Sequence, residues 1–117
     1  PIFPFVKPIT KEQTRINWND AKEVIYNQIR GLNPFPGAHT FTETGENVKI
    51  YKSEKIDKKY EGENGTIVEI INKKGPVVKT SNGGIILLEV KFEGKKLQSG
   101  TDIINGRKLT VGNKFKN

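Results

Sequence analysis

A helix end followed by a rigid corner, Arg30–Ala38, constrains the fold of this chain more than any other feature. Glycine readily adopts the left-handed conformation that closes many helices, so Gly31 is expected to terminate a helix. Pro34 and Pro36 then prevent the helix from continuing, and each restricts the preceding residue to an extended conformation. The segment therefore predicts a boundary between a helix and another type of structure.

The residues before this corner have the spacing of one amphipathic helix. Apolar side chains recur at steps of three or four residues or their multiples, which places them on one face: Ala21, Val24, Ile25, Ile29 and Leu32. Asn19 is the expected N-cap, and Asp20 and Glu23 are acidic residues near the positive end of the helix dipole. The pattern predicts a helix from about Asp20 to about Arg30.

Beyond the corner the apolar period changes to two residues, which indicates β-strands. Asn82-Gly83 separates two apolar runs and is a strong hairpin signal. Strands are expected over residues 38–42, 48–52, 66–71, 77–80, 85–92 and 111–115, with a loop over 55–64. A short helix is expected over 99–105, with Ser99 or Thr101 as its cap and Gly106 as its stop. One face of the 85–92 strand is expected to carry Ile86, Leu88, Val90 and Phe92. One helix before five or six short strands predicts a mainly β fold, a small closed or half-open β-barrel.

Residues 1–14 contain three prolines and no clean apolar period, so they are expected to form an extended linker or arm before a domain over 15–117. Part of this arm is expected to dock, because several of its residues are apolar: Ile2, Phe3, Phe5 and Val6. The chain begins at Pro1 without an initiator methionine, and we expect it to be processed or an excised piece of a longer protein.

The charge indicates an anionic partner. Twenty basic residues against thirteen acidic ones give +7, and seventeen of the twenty are lysines, which suit unspecific phosphate neutralisation. A soluble surface without nucleic acid explains the same count equally well. The absence of cysteine excludes a disulfide framework and a thiolate metal site, and it fits a cytoplasmic protein. No apolar run approaches the ~20 residues that span a bilayer, so we expect no membrane partner.

Nothing in the sequence indicates catalysis by this chain. His39 is the only histidine, so a His-pair metal motif is excluded, and we interpret it as a strand-start side chain. The carboxylates are scattered among lysines, and no glycine loop suited to a phosphate opens a helix. We therefore expect no catalytic residue, metal or cofactor in this chain.

A basic binding surface remains. Its candidate residues are Arg30, Lys49, Lys52, Lys95, Lys96, Arg107 and Lys114. In a small barrel they could converge and follow a phosphate backbone, or they could be spread over the exterior, and Arg30 could simply stabilise its helix end. The larger aromatic residues are expected in the core or at the arm's docking site: Trp18, Phe35, Phe41 and Phe92. Recognition by shape and phosphate contact is therefore expected over base reading.

Short motifs recur along the chain in a fixed order. They are Ile9-Thr10-Lys11-Glu12, Ile16-Asn17-Trp18, Ile29 to Ala38, Val48-Lys49-Ile50, Gly65-Thr66-Ile67, Leu87-Leu88-Glu89-Val90, Gly94-Lys95-Lys96 and Asn105-Gly106. Because the motifs occur in this order and with this spacing, the chain resembles the C-terminal domain of the methionyl-tRNA formyltransferases over about Pro8 to Asn117. Two positions depart from the family: Phe35 replaces a frequent tryptophan, and Lys91 replaces a common glutamine and could add a phosphate contact.

The resemblance implies an OB-like β-barrel joined by a linker to an N-terminal catalytic domain that this chain lacks. The parent enzyme would transfer a formyl group from 10-formyltetrahydrofolate to methionyl initiator tRNA, with catalytic asparagine, histidine and aspartate in the missing domain. The barrel would hold the initiator tRNA largely through its backbone. We expect a monomer.

Two other functions fit the sequence. The domain could be a structural part of a related formyltransferase that acts on a nucleotide-sugar or on folate. Such a part has no evident need of a net charge of +7. It could also be a general barrel for single-stranded nucleic acid, which would bind arbitrary oligonucleotides as tightly as folded tRNA.

Overall fold

The structure, a computed structural model, describes residues 11–117, with the backbone alone at Lys11 and Glu12. Within that range three helices, α1 to α3, span Lys11–Thr14, Lys22–Leu32 and Gly100–Asn105. Seven strands, β1 to β7, span Ala38–Thr42, Asn47–Ile56, Ile67–Ile71, Gly75–Thr80, Gly83–Phe92, Leu97–Ser99 and Phe115–Lys116. This order confirms the predicted mainly β fold with an amphipathic helix before the sheet.

The expected extended arm lies mostly at residues 1–10, outside the described residues, and its last four residues form the helical turn α1 instead of extended chain. The segment after this turn is attached to β1. Arg15 forms a parallel bridge with His39, and the Ile16 N–H donates to the His39 carbonyl oxygen at 2.8 Å.

The N-terminal end of α2 is capped by a residue from another part of the chain. The N-cap position is occupied by Ala21, which has no side-chain cap, so the capping role expected for Asn19 is wrong. The Lys22 N–H donates to the side-chain oxygen of Asn82 at 2.8 Å. The helix therefore begins later than its local sequence predicts, because a tertiary hydrogen bond supplies the cap.

At its other end α2 stops at Asn33, and the expected role of Gly31 is wrong. Gly31 is helical, and the helix continues through Leu32. Asn33 is extended, with φ −82° and ψ 135°, as a residue before proline should be. The left-handed residue of the corner is Gly37, with φ +86°, and its N–H donates to the Leu32 carbonyl at 2.9 Å. The corner thus satisfies the last helical carbonyl, that of Leu32, from beyond the prolines.

The strands form one antiparallel sheet in the order β3–β4–β5–β2–β1–β7, with β6 also paired to β5. The C-terminal segment connects the two ends of this sheet by backbone hydrogen bonds. Ile67 donates to Asn113 at 2.7 Å, Gly112 donates to Ile67 at 2.9 Å, and Phe115 donates to Gly65 at 2.9 Å. The predicted barrel is thus a curled half-barrel whose edges this segment joins.

Irregular pairing decides which side chains of β2 and β5 face inward. The register between the two strands shifts between Ile50 and Lys52 and again between Lys52 and Ser53. Side chains alternate along a regular strand, so an extra residue reverses the direction of those beyond it. The main hydrophobic cluster contains Ile85, Leu87, Val90 and Phe92 of β5, and Ile86 is buried outside this cluster. The single face predicted for this strand is therefore wrong at Ile86 and Leu88.

The centre of the core is the stacked pair Trp18 and Phe115, with ring centroids 5.7 Å apart. Trp18 is fully buried, and its Nε1–H donates to the Thr40 hydroxyl at 3.0 Å, which satisfies its one polar atom. The core positions predicted for Trp18 and Phe92 are confirmed. Phe35 is 85% exposed at the corner, so the core position offered for it is wrong, whereas the alternative, the arm's docking site, involves residues outside the described range.

Short sequence patterns correctly predicted α3 and most of the strands. Ser99 caps α3 in a capping box, accepting from the Asp102 N–H at 3.0 Å, and Gly106 is the C-cap, as predicted. The prediction missed β6, and of the expected last strand only Phe115 is in β7. β2 continues through Ile56 into the segment expected to be a loop.

Candidate nucleic-acid interface

Three strands carry a row of basic side chains on the outer side of the sheet. The register pairs His39 with Lys49 and Lys49 with Lys91, and we call these residues the basic row. Neighbouring strands are ~4.8 Å apart, so the row crosses the sheet in about 10 Å. The alternate residues Thr40 and Val48 are buried, which explains why the row faces outward. The ammonium groups of Lys49 and Lys91 in this line favour an extended anion.

Phe41 lies on the same side of β1 as His39 and outside the buried core. The guanidinium carbon of Arg15 is 5.0 Å from the Phe41 ring centroid. The His39 ring meets Phe41 edge-on, with centroids 5.3 Å apart and planes at 86°. His39 Nδ1 lies 3.1 Å from the hydroxyl of Thr14. The aromatic ring is therefore half-buried and held among basic groups.

Phe41 forms one wall of a shallow depression of about 280 Å³. The residues that line it are Thr14, Pro36, Gly37, His39, Phe41, Asn47 and Lys49. Asn47 contributes a side-chain amide to this lining. The depression therefore combines an aromatic surface, an ammonium group and an amide.

Two carboxylates limit the positive charge of this side of the sheet. Glu93 lines a neighbouring hollow together with Lys49 and Lys91. Glu89 is the cross-strand partner of Lys52. The basic row is thus bordered by acidic residues, which restrict where an anion is stabilised.

Lys95 and Lys96 are exposed in the turn that connects β5 to β6, close to the end of the basic row. The Lys95 N–H donates to the Phe92 carbonyl at 2.9 Å. The returning strand places Leu97 beside Lys91. This turn therefore adds two ammonium groups to the region of Lys91.

Arg30 and Lys52 lie elsewhere, in a groove between α2 and β2. The Arg30 guanidinium carbon is 5.8 Å from the Tyr26 ring centroid, and Lys55 Nζ is 5.0 Å from the same centroid. We call this set, Tyr26, Arg30, Lys52 and Lys55, the Tyr26 groove. Two of the seven predicted site residues, Arg30 and Lys52, therefore line one groove, apart from Lys49.

The two remaining predicted residues line neither the depression nor the Tyr26 groove. Arg107 is exposed in the turn after α3 and has a φ of +52°. Lys114 is ion-paired with Glu63. The hydrogen bond from Lys114 lowers the pKa of the Glu63 carboxyl below its usual range. Lys114 is therefore less available to an external anion than the other candidates.

Several other lysines also lie within 4 Å of carboxylates. The ion pairs are Lys22 with Glu23 and Asp57, Lys58 with Glu69, Lys74 with Glu54, and Lys108 with Glu46. Hydrogen bonds from Asn82 and Lys22 lower the pKa of Glu23 from 4.5 to about 2. Hydrogen bonds from Tyr60 and Lys58 lower the pKa of Glu69. These lysines are neutralised within the fold.

Sequence reasoning missed Arg15, Phe41 and Asn47 as parts of a surface and gave His39 only a place in a strand. The alternation within residues 38–42 was a usable signal, because it puts His39 and Phe41 on the same side of β1. The position of Arg15 had no comparable signal, since it depends on a bridge between segments 24 residues apart.

Two tests for other kinds of site concern the described part of the chain alone. Residues 11–117 contain no group of three His, Asp or Glu side chains that could hold a metal ion. No helix in that range is long and apolar enough to cross a membrane. What the interface presents is a set of cations around an aromatic ring.

A comparison with protein families identifies the domain. The family model described as "Formyl transferase, C-terminal domain" matches residues 8–108, which is most of the chain. The chain belongs to this family. The predicted resemblance to the C-terminal domain of methionyl-tRNA formyltransferase is thus confirmed.

Curated relatives of this formyl transferase domain are bacterial methionyl-tRNA formyltransferases. The protein of Fusobacterium nucleatum is 44% identical over 97% of this chain and 37% of its own length. That of Dictyoglomus turgidum is 42% identical over 97% of this chain and 36% of its own length. The chain therefore spans little more than a third of the relatives it matches.

Solved structures show the same fold at much lower sequence identity. HypX from Aquifex aeolicus has a TM-score of 0.69 and 13% identity over 89% of this chain and 18% of its own. A structure of HypX in complex with tetrahydrofolic acid has a TM-score of 0.68 and 13% identity, over 87% of this chain and 18% of its own. This similarity confirms the fold of the formyl transferase domain.

Proposed function

We propose that this chain is the tRNA-binding C-terminal domain of a cytoplasmic methionyl-tRNA formyltransferase. It positions methionyl initiator tRNA through phosphate contacts, while a covalently linked N-terminal domain catalyses formylation. The observation that carries the proposal is 44% identity over 97% of the chain to a methionyl-tRNA formyltransferase. We propose that the domain acts as a monomer.

The distribution of charge supports RNA as the partner. The basic row and the Lys95–Lys96 turn present ammonium groups for which no carboxylate lies within 4 Å among the described residues. Lysines of this kind bind phosphates as point charges and release counterions, which gives affinity without sequence selectivity. We propose phosphate contacts at Lys49, Lys95 and Lys96, with the Tyr26 groove and Arg107 as further candidates.

The chemistry of the reaction is assigned to the preceding part of the polypeptide. We propose that this part binds 10-formyltetrahydrofolate and supplies the catalytic groups. No residue of the described range is assigned to the folate. The barrel contributes binding and orientation, which lower the entropic cost of bringing the tRNA amino group to the formyl donor.

The binding of initiator tRNA to this chain over a series of salt concentrations tests the proposal. We expect log Kd to rise linearly with log salt concentration, by about one unit of slope for each lysine–phosphate contact. Binding that does not depend on salt would contradict the phosphate mechanism. Equal affinity for arbitrary single-stranded oligonucleotides would instead support a general nucleic-acid barrel.

The full-length protein provides the second test. Deleting residues 11–117 should reduce turnover on methionyl initiator tRNA chiefly through a higher KM, because the deletion removes binding surface and no catalytic group. An unchanged KM would exclude a role in tRNA binding. Turnover on an amino sugar in place of charged tRNA would identify a related formyltransferase.

A further inference from the structure

The geometry of the depression beside Phe41 points to a site for one unpaired nucleotide, and we propose that its base stacks on Phe41 while its phosphate contacts Lys49. This inference rests on the proposed RNA-binding function. It goes beyond backbone contact, because it assigns a base-binding role to Phe41 and Asn47.

The first argument is the aromatic ring. A phenylalanine on the outer side of a sheet gains little from partial exposure to water, whereas a base stacked on it removes apolar area from water. Phe41 is held in place by the Arg15 guanidinium at 5.0 Å and by the edge of His39 at 5.3 Å. An ordered ring loses little entropy when it binds a base.

Arg15 is itself held by the fold. Its backbone pairs with His39, and its carbonyl oxygen accepts a hydrogen bond from Gln28 Nε2 at 3.1 Å. The guanidinium over Phe41 therefore belongs to an arrangement that exists before RNA binds. Arginine planes and aromatic rings are both surfaces on which unpaired bases stack.

The second argument is the set of polar groups around the ring. Lys49 and Asn47 both line the depression, and Asn47 is the direct cross-strand partner of Phe41. Lys49 is diagonal to Phe41 across the strand pair, a separation of roughly 7–8 Å between Cα atoms. A single nucleotide spans such a distance from its base to its phosphate. The Asn47 amide offers a donor and an acceptor to a base edge or a 2′-hydroxyl.

The third argument is size. The depression measures about 280 Å³, below the roughly 300–1,000 Å³ of pockets that enclose a whole small molecule. It is open on one side, as a site on a continuous chain must be. Bases within a duplex are stacked on both faces, so the site selects an unpaired nucleotide.

The experiment compares two RNA probes, a blunt RNA duplex and the same duplex with a short single-stranded 3′ overhang. Wild-type protein should bind the overhang probe more tightly than the blunt one. The Phe41→Leu variant should lose that preference, with about tenfold weaker binding to the overhang probe and an unchanged salt slope. Phe41→Tyr should retain the preference, because a tyrosine ring also stacks. The Lys49→Gln variant should lose about one unit of salt slope.

Matched controls separate this site from general effects. Phe35→Leu removes a more exposed phenylalanine that does not line the depression, and Lys59→Gln removes an exposed lysine of the β2–β3 loop. Both should bind the two probes as the wild type does. The thermal transition of each variant verifies that it is folded.

The outcomes distinguish the two proposals. If Phe41→Leu remains folded and keeps the overhang preference, or if Phe35→Leu loses it equally, the nucleotide site is refuted while salt-dependent RNA binding stands. If the wild type binds neither probe nor initiator tRNA, the proposed function fails as well.

Discussion

The lysines of this domain fall into two groups that share a side chain and differ in their surroundings. Lys22, Lys58 and Lys74 lie within 4 Å of carboxylates, together with Lys108 and Lys114. For Lys49 and Lys91 on the outer side of the sheet, no carboxylate lies within that distance among the described residues. The charges of Lys49 and Lys91 are therefore not offset by an adjacent carboxylate of the described residues.

The difference shows that the same residue type serves two purposes. The paired lysines connect segments that are distant in sequence, such as α2 with the β4–β5 turn through Lys22 and Asn82. The unpaired lysines contribute to the surface potential and have no such structural partner. Substitutions in the first group should therefore change stability, and substitutions in the second should change RNA binding.

Reversal of two charges in the basic row should have the largest effect. The double variant Lys49→Glu with Lys91→Glu is expected to weaken initiator tRNA binding about a hundredfold, or about tenfold for each lost charged contact. The salt slope should fall by about two. Fluorescence anisotropy at several salt concentrations measures both quantities.

The matched control reverses two ion-paired lysines, Lys58→Glu with Lys74→Glu. It makes the same change in net charge, yet its affinity for tRNA should stay much closer to that of the wild type. Equal losses in the two double variants would show that total charge, and not its placement, determines binding.

Removal of the buried lysine should have the next largest effect, on stability. Lys22 is 7% exposed, and its ammonium group donates to the Asn82 carbonyl at 3.2 Å and lies 3.1 Å from the Glu23 carboxylate. Lys22→Met should lower the thermal midpoint by several degrees, whereas Lys49→Met should change it by about one degree or less. Differential scanning calorimetry measures both. A larger loss for Lys49→Met would assign a structural role to the basic row.

The hydrogen bonds from Asn82 and Lys22 to Glu23 should also make the stability of the fold depend on pH in the acid range. The pKa of Glu23 is about 2 in the folded chain against an ordinary value of 4.5, so the unfolded state binds a proton more readily. The stabilisation is complete above about pH 5.5, declines as the pH falls through 4.5 and is lost near pH 2. Denaturant unfolding between these values should show less pH dependence in Glu23→Gln than in the wild type. If the wild type and Glu23→Gln show the same dependence of stability on pH, the ion pair of Lys22 and Glu23 does not stabilise the fold.

The smallest effect is expected from the carboxylate beside the basic row. Glu93→Gln removes a negative charge next to Lys49 and Lys91, so tRNA binding should become about twofold tighter. Glu61→Gln makes the same change in an exposed loop and serves as the control. Equal binding by Glu93→Gln and Glu61→Gln would show that the RNA does not approach this side of the sheet.

Features that depend on neighbouring residues were accessible from sequence. A cap of α3 at Ser99 or Thr101, the strand over 38–42 and the proline corner were all predicted, because capping, turn chemistry and side-chain alternation act over a few residues. The family resemblance was accessible for a related reason, since the order of short motifs is itself a property of the sequence.

Features that depend on register or on distant partners were not accessible. The register shift between β2 and β5 at Lys52 turns Ile86 and Leu88 away from the face predicted for β5. The cap of α2 comes from Asn82, which is distant in sequence. The division of the candidate site has the same cause, because Arg30 and Lys52 lie in one groove while Lys49 lies in the row.

The sequence by itself determined that this chain is a basic, mainly β domain with a helix, a proline corner and a recognisable family. Local propensity, periodicity and composition carry that information without knowledge of the packing. The tertiary structure decided which lysines remain unpaired and that Phe41 faces outward beside them. Ion pairing and exposure depend on which distant segments come together, and strand register determines that only once the sheet has formed.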